Sequence, residues 1–261
     1  MKPAPFDYRR PETLAEALAL LEKYGDDARP LAGGQSLVPL LAMRLAQPSL
    51  LVDLSRIPEL RVLQSEPGRL RIGAMTRQAE LELRSDLPPI LRAALPHIGH
   101  FQIRNRSTVG GSLAHMDPAA EWPALALLLD AELEVISQRR GRRLIPAAQF
   151  VRGPLLTAIE PDELLVSVTL SEAGGRFGFA EVERRSGDFA LVGAAAHRGR
   201  VVVFATGPAP HRIQIPAGAD PAEIRSLAES QIEAIADIHA GTAYRRRVGA
   251  RLVEQVMAAA A

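Results

Sequence analysis

The sequence predicts an α+β fold for this chain of 261 residues, and three observations support that prediction. Apolar residues recur at helical spacing in some segments and form short strand-like runs in others, so neither type of element dominates. Residues 171–175, Ser-Glu-Ala-Gly-Gly, have the composition of a linker. After this linker the pattern gives three strands and then two helices, an order that is typical of helices packed on one face of an antiparallel sheet.

The first predicted helix carries the clearest local signals. Thr13 and Glu16 have the spacing of a capping box, and the apolar residues at 14, 17, 18 and 21 fall on one helical face. Gly25 is placed to end this helix. Residues 101–118 have no clean period and are rich in Gly, Asn, Ser and Thr, so they are predicted to form an ordered loop.

The remaining elements are predicted from apolar periodicity and from the turn residues between them. Before the linker they are a strand at 29–31, a helix at 37–45, strands at 51–54, 61–64 and 69–73, helices at 76–83, 89–95 and 121–129, a hairpin at 132–137 and 143–145, and a strand at 164–170. After it they are strands at 177–183, 190–197 and 200–205 and helices at 222–235 and 242–259.

Composition excludes several classes of protein. Lys and Arg total 31 against 30 Asp and Glu, so the chain lacks the basic footprint of a nucleic-acid-binding protein. It has no cysteine, which excludes disulfides, thiolate zinc sites, a cysteine nucleophile and any cysteine-held iron–sulfur cluster on this chain. The first five residues lack the apolar core of a signal peptide, and no run of 18 apolar residues follows, so we expect a cytoplasmic protein without a membrane span.

Two glycine pairs lie where the local pattern changes. The first glycine loop, residues 31–37, reads Leu-Ala-Gly-Gly-Gln-Ser-Leu, and the second glycine loop, residues 108–114, reads Thr-Val-Gly-Gly-Ser-Leu-Ala. Consecutive N–H groups in such turns, together with a helix N-terminus, can bind phosphate. Neither loop is a Rossmann fingerprint or a P-loop, and either alone is equally typical of a tight turn. Two such loops, each followed by an apolar helix, favour a diphosphate ligand held from two sides.

At these loops the sequence resembles the FAD-binding medium subunits of the xanthine dehydrogenase and carbon-monoxide dehydrogenase family. The resemblance runs nearly end to end and in the same order. The matching segments are 6–11, 31–41, 70–76, 104–115, 117–121, 123–124, 184–190 and 244–246.

The resemblance implies a two-part FAD-binding domain of the vanillyl-alcohol-oxidase type over residues 1–171, with sub-parts of about 1–56 and 57–171. A small α+β domain with an antiparallel sheet and C-terminal helices would follow over residues 176–261. Asp117 would be a candidate for the ribose or ribityl hydroxyls, and residues 72–74 would pass beside the flavin ring. The residues that the resemblance assigns to FAD binding are Ala32, Gly33, Gly34, Gln35, Ser36, Leu37, Ala74, Thr108, Gly110, Gly111, Ser112, Ala114 and Asp117.

The implied activity is electron transfer, with no catalytic side chain and no metal ligand on this chain. FAD would pass electrons from the iron–sulfur clusters of a small partner subunit to NAD, a quinone or oxygen, and a large partner subunit would hold the molybdenum cofactor. A flavin-free assembly subunit and a stand-alone flavin oxidase are the alternatives. The four intact loop glycines disfavour the first alternative. The second is disfavoured because only about 90 residues follow the linker.

Several positions stand outside this pattern. Glu181 occupies a position where many relatives carry a lysine that can reach the cofactor, and the segment after residues 207–210 is short. His97 and His100 are three residues apart, but Pro96 and Gly99 argue against a regular helix, so a structural role is favoured over metal binding. The basic run at 139–143 is predicted to be a solvated hairpin turn.

Overall fold

The structure is a computed structural model that describes residues 2–171 and 173–261, and it confirms the α+β class. Its first part is a small parallel sheet of order β1-β3-β2, with β1 at Asp7–Arg9, β2 at Ala28–Leu31 and β3 at Leu50–Asp53. Parallel neighbours need crossover connections, which α1 (Leu14–Tyr24) and α2 (Leu37–Ala42) supply. The predicted cap is present, since the Thr13 hydroxyl accepts from the Glu16 amide at 3.2 Å.

The second part is an antiparallel sheet of order β4-β5-β10-β6-β7. Helices on the long connection between β5 and β6 cover this sheet, and Trp122 is fully buried among them. The strands are β4 (Leu63–Glu66), β5 (Arg69–Gly73), β6 (Glu132–Ser137), β7 (Gly141–Pro146) and β10 (Leu164–Ser171). The helices are α3 (Gln78–Glu82), α4 (Pro89–Ala94), α5 (Phe101–Arg104), α6 (Val109–His115) and α7 (Glu121–Leu128); α8 (Ala147–Phe150) and the hairpin β8 (Val151–Gly153) and β9 (Leu156–Thr157) follow β7.

The third part is an antiparallel sheet of order β11-β12-β13-β14. Its strands are β11 (Phe177–Glu183), β12 (Ala190–His197), β13 (Arg200–Phe204) and β14 (His211–Ile213), and its helices are α9 (Pro221–Gln231) and α10 (Thr242–Ala260). As the sequence predicts, α10 packs across one face of this sheet. The other face packs against α7 of the second part, so one apolar core runs through both parts.

All eight residues of α7 are buried, and polar contacts tie its surroundings to the third part. The Ala205 amide donates to the Pro118 carbonyl at 3.0 Å, and Arg212 donates to the Leu127 carbonyl at 2.8 Å. Asp130 pairs with both Arg200 and Arg212. A helix without a polar face needs apolar partners on every side, and α7 has them because the sheet of the third part contacts it as well as α6 and α8.

The structure differs from the sequence predictions at several elements. Residues 101–118 are wrongly predicted as a loop, since they contain α5 and α6. The helix predicted over 76–83 begins only at Gln78, and the Thr76 carbonyl accepts the Val109 amide at 3.0 Å. The helix predicted over 222–235 ends at Gln231, after which the Ile235 amide donates to the Thr206 carbonyl at 2.8 Å.

The short elements β1, β8, β9, β14 and α8 carry too few residues to show a period, and they were not predicted. The predicted linker begins inside β10, which extends to Ser171, and Glu172 of that linker lies outside the described residues. Among the residues that the structure describes, no helix is both long enough and apolar enough to cross a membrane.

Candidate functional site

The first glycine loop leaves β2 at its carboxyl end and leads into α2. Gly34 has φ of +77°, a conformation that glycine adopts without steric cost. Within the described part of the chain, the backbone amides of Gly34, Gln35 and Ser36 donate no hydrogen bond. The loop therefore presents consecutive free N–H donors, which is the arrangement that binds anionic oxygens.

The second glycine loop uses its amides differently. The Val109 amide donates to the Thr76 carbonyl at 3.0 Å, and the Gly110 amide donates to the Ala74 carbonyl at 2.9 Å. The Gly111 amide donates to the Thr108 hydroxyl, the N-cap of α6, at 3.1 Å. These three donors are satisfied inside the protein, so the second loop lacks the free amides that its sequence suggests.

Close backbone packing explains two of the four loop glycines. A Cβ at Gly33 would lie 2.7 Å from the Ser107 Cα and nearer still to the Arg106 carbonyl oxygen. A Cβ at Gly110 would lie 2.6 Å from the Ala74 Cα. The first loop thus packs directly on the segment that precedes α6, and α6 packs directly on the chain after β5. Glycine is therefore needed at both positions for close packing within the chain, whatever ligand the loops bind.

A cleft of about 730 Å³ opens beside these contacts. It lies at the carboxyl ends of the parallel strands, and its walls come from the two loops and from the chain that follows β1, β3 and β5. The lining residues are Arg10, Leu31, Ala32, Gly33, Gly34, Gln35, Val38, Pro39, Asp53, Ser55, Arg61, Met75, Arg77, Arg106 and Thr108.

The cleft is electropositive. Its one carboxylate, Asp53, accepts hydrogen bonds from the Tyr8 hydroxyl and from the Ser55 amide at 2.8 Å. Burial opposes the ionisation of Asp53, but these hydrogen bonds outweigh it and hold the pKa of Asp53 below its usual value. Within the described chain, the exposed side chains of Arg77 and Arg106 form no ion pair. Two guanidinium groups are therefore available to an anionic ligand.

Comparison with known proteins shows the family to which the chain belongs. Residues 4–171 match the model of the FAD binding domain in molybdopterin dehydrogenase. The chain is 38% identical, over 284 aligned residues, to the alpha subunit of the 6-hydroxypseudooxynicotine dehydrogenase complex of Paenarthrobacter nicotinovorans, and the alignment covers 100% of this chain and 96% of that protein. The chain belongs to the FAD-binding medium subunits of the molybdenum hydroxylases.

Solved structures agree over the whole length of this medium subunit. A chain of the reconstituted CO dehydrogenase from Oligotropha carboxidovorans superposes with a TM-score of 0.93 at 32% identity, with 100% of this chain and 99% of that chain covered. A chain of quinoline 2-oxidoreductase from Pseudomonas putida 86 gives 0.91 at 34% identity, with coverage of 100% and 98%. The fold, the FAD cofactor and the oxidoreductase class predicted from the sequence are thus confirmed.

The cleft of this medium subunit fits FAD. Its volume falls in the range of about 300–1,000 Å³ that is usual for small-molecule sites. The free amides of the first loop and the guanidinium groups of Arg77 and Arg106 are the donors that a diphosphate requires. Bound FAD supplies the redox chemistry, and the chain supplies the donors and the shape that hold it.

The structure brings only some of the predicted contact residues to the cleft. Ala32, Gly33, Gly34, Gln35 and Thr108 line it, whereas Ser36, Leu37, Ala74, Gly110, Gly111, Ser112, Ala114 and Asp117 do not. Gly111 lies next to Ala32, since its Cβ would be 3.5 Å from that side chain. The Asp117 carboxylate accepts the Ala119 amide at 2.9 Å.

The small residues after β5 also have a packing role. A Cβ at Gly73 would lie 2.8 Å from both the Leu60 carbonyl carbon and the Val62 nitrogen. Ala74 is buried under Gly110. Contact with a flavin ring is therefore not required to explain why these residues are small.

Sequence reasoning missed much of the cleft wall. The residues it missed are Arg10, Asp53, Ser55, Arg61, Met75, Arg77 and Arg106, together with the apolar Leu31, Val38 and Pro39. One signal was present: residues 10, 32 and 53–55 all stand at or just after the ends of β1, β2 and β3. The carboxyl ends of parallel strands are a preferred place for ligands. Assigning β1, β2 and β3 as parallel neighbours would therefore have predicted that these residues lie together in one ligand site.

The other basic positions have partners inside the protein. Arg104 donates to the Gly99 carbonyl at 2.5 Å and pairs with Glu82 at 2.9 Å, so it braces the chain ahead of the second loop. In the basic run, Arg143 pairs with the buried Glu163 at 2.6 Å, and Arg140 pairs with Asp162.

Proposed function

We propose that this chain passes electrons from the iron–sulfur clusters of a small partner subunit, through FAD held in the cleft, to an external acceptor. The observation that carries the proposal is the electropositive cleft beside the first glycine loop, on a chain that has no cysteine. FAD can accept electrons singly and deliver two. A chain without cysteine cannot hold a cysteine-ligated cluster, so the electron donor belongs to another polypeptide.

The first glycine loop and the arginines of the cleft would hold the diphosphate. The amides of Gly34 and Gln35 would donate to one side of it, and the guanidinium groups of Arg77 and Arg106 to the other. The Ser36 amide, which follows them just outside the cleft lining, is a further proposed donor. The second loop would act chiefly by fixing Thr108 and the chain before it in place. The remaining residues proposed to lie near the cofactor are Leu37, Ala74, Gly110, Gly111, Ser112, Ala114 and Asp117, with Asp117 toward a ribose or ribityl hydroxyl.

The assembly and location follow the same reasoning. We propose an FAD-binding domain over residues 1–171 and a second domain over residues 176–261. The partners would be a large subunit with the molybdenum cofactor and a small iron–sulfur subunit, and the acceptor would be NAD, a quinone or oxygen. The similar Paenarthrobacter protein is named as a subunit of a dehydrogenase complex, which supports a multi-subunit assembly. We propose that this assembly is cytoplasmic.

An absorption titration of the purified full-length chain with FAD tests the cofactor site. We expect a bound flavin at about one per chain, with binding weakened by Arg106→Gln and by Gly34→Val. Arg139→Gln is the matched control, because this side chain is 74% exposed and lies outside the cleft lining. A folded chain that binds no flavin would instead indicate an assembly subunit.

Electron transfer is tested on the FAD-loaded chain by rapid mixing. The flavin is reduced under anaerobic conditions and mixed separately with NAD, a soluble quinone or oxygen while its absorbance is followed. Fast reoxidation by one of the three identifies the acceptor. Reoxidation by none of them would contradict the proposed route.

A further inference from the structure

Three side chains with metal-ligating atoms meet beside β11. They are His97, which ends a 3-10 turn after α4, and Glu181 and Glu183 of β11. Their ligating atoms all lie within 4.8 Å of one another. The two glutamates are two residues apart on a strand, so their side chains project from the same face of the sheet. None of the three residues lines the cleft.

Glu181 lacks the partners that a buried carboxyl group requires. Its side chain is 0% exposed, and neither carboxylate oxygen accepts a hydrogen bond. The His97 Nδ1 lies 3.4 Å from its Oε1. A buried charge is costly unless it is paired or coordinates a metal. Burial, with the carboxylates of Glu121 and Glu183, raises the pKa of Glu181 to about 9.

The other two members are held in position by the protein. The Gly187 amide donates to Glu183 at 3.0 Å, which fixes one carboxylate oxygen and leaves the other available. The His97 ring packs against the Phe179 ring with centroids 5.4 Å apart. Outer contacts of this kind orient the ligands of metal sites. The His97 side chain is 38% exposed, so the cluster is open to solvent on that side.

We propose that His97, Glu181 and Glu183 bind a divalent first-row transition cation such as Zn²⁺ or Mn²⁺. One imidazole and two carboxylates suit these ions, and the two carboxylates match the charge of the cation. Three protein ligands leave room for water on the exposed side. The cation satisfies the two oxygens of Glu181 that the protein leaves without donors. This site does not rest on the proposed electron-transfer function, because it uses no residue of the cleft.

The test is equilibrium dialysis of the full chain, freed of metal with a chelator, against Zn²⁺ or Mn²⁺, with the bound metal measured by mass spectrometry. We expect about one ion per chain for the wild type. Glu181→Gln should bind at least about 100-fold more weakly, since loss of an outer-shell partner alone costs 10–100-fold. The amide has the shape of the protonated acid, so this variant should fold. Glu229→Gln, at an exposed position of α9, is the matched control and should bind as the wild type does.

X-ray absorption of the zinc-loaded chain gives a second readout. One imidazole nitrogen and otherwise oxygen ligands are expected at the metal, and His97→Gln should remove the imidazole signal. Two results overturn the site: a wild type that binds neither ion, or a Glu181→Gln variant that binds as tightly as the wild type. FAD titration of the same Glu181→Gln sample tests the cleft independently, so that a failure of the metal site can be told from a failure of FAD binding.

Discussion

Replacement of Gly33 by alanine tests whether contact between the two loops forms the cleft. A Cβ at this position would lie 2.7 Å from the Ser107 Cα and 2.8 Å from the Arg106 carbonyl carbon, where ordinary contacts begin at 3.4 Å. The backbones must therefore separate by more than about 0.7 Å, because the Arg106 carbonyl oxygen would lie nearer still. Both contacting groups are backbone, so no side-chain rotation can relieve the overlap. Overpacking of this kind typically costs about 1–3 kcal/mol, and we expect the upper half of that range.

The assay combines urea unfolding with FAD titration of the same Gly33→Ala sample. A loss of about 2–3 kcal/mol corresponds to a fall in the melting temperature of roughly 4–12 °C in a chain of this size. We expect weaker FAD binding as well, because the displaced segment carries Arg106 and Thr108 into the cleft wall.

Gly153→Ala is the matched control. A Cβ there meets nothing within 4 Å, and the residue has no positive φ, so its unfolding free energy should change by no more than about 0.5 kcal/mol. The reasoning is refuted if Gly33→Ala matches Gly153→Ala in both unfolding free energy and FAD affinity. Loss of stability with unchanged FAD affinity would show that the contact supports the fold without shaping the cofactor site.

Three further predictions follow from charged groups. Burial raises the pKa of Glu121 from its usual 4.5 to about 7, so the folded state keeps a proton that the unfolded state loses. Its contribution to stability is full below pH 4.5 and falls by up to about 3 kcal/mol as the pH rises to 7, at about 1.4 kcal/mol per pH unit. In urea unfolding across pH 4.5–8, the unfolding free energy of Glu121→Gln should decline less steeply with pH than that of the wild type. Identical slopes for the two proteins would contradict this. Arg106→Gln should weaken FAD binding about tenfold and make the binding less dependent on salt. FAD titrations at 50 and 500 mM NaCl measure this, and an unchanged salt dependence would exclude Arg106 from the diphosphate site. Arg143→Met should cost about 1–3 kcal/mol in urea unfolding, because the carboxylate of Glu163, 1% exposed, loses two hydrogen bonds from Arg143 and keeps only one guanidinium partner, the more distant Arg140, 3.6 Å away. Arg139→Met should cost almost nothing, and equal effects of the two changes would refute the prediction.

Local signals predicted most of the fold because they act within a few residues. The Thr13 cap and the apolar face of α1 are complete within one segment, and both are present in the structure. Helix α6 was missed because Gly110 and Gly111 lower its intrinsic propensity. Its first amides are instead held by Ala74 and Thr76, residues more than 30 positions earlier in the chain. That support comes from tertiary contact, which no short window of sequence contains.

The candidate site likewise has a part that is contiguous in sequence, which could be predicted, and a part assembled from distant segments, which could not. The first glycine loop was found because its motif is contiguous, and four of its residues that were predicted to bind FAD line the cleft. Arg10, Asp53 and Arg106 reach the same cleft from three distant segments. Arg10 and Asp53 share only their place at the ends of strands, and nothing in the local sequence links Arg106 to them. Glu181 was noted only as a departure from relatives. Its burial beside Glu121 and His97 depends on how β11 packs against α4.

The burial of α7 on every side has a consequence for how the chain folds during synthesis. Its eight residues are covered only when β12, β13 and β14 have emerged and packed against it. A nascent chain that has reached residue 171 therefore still exposes a helix that is apolar after Glu121, and most of residues 172–261 must be added before that surface is hidden. Unfolding of the finished protein should accordingly be one cooperative event, and truncation at the linker should give an aggregating fragment rather than a stable flavin domain.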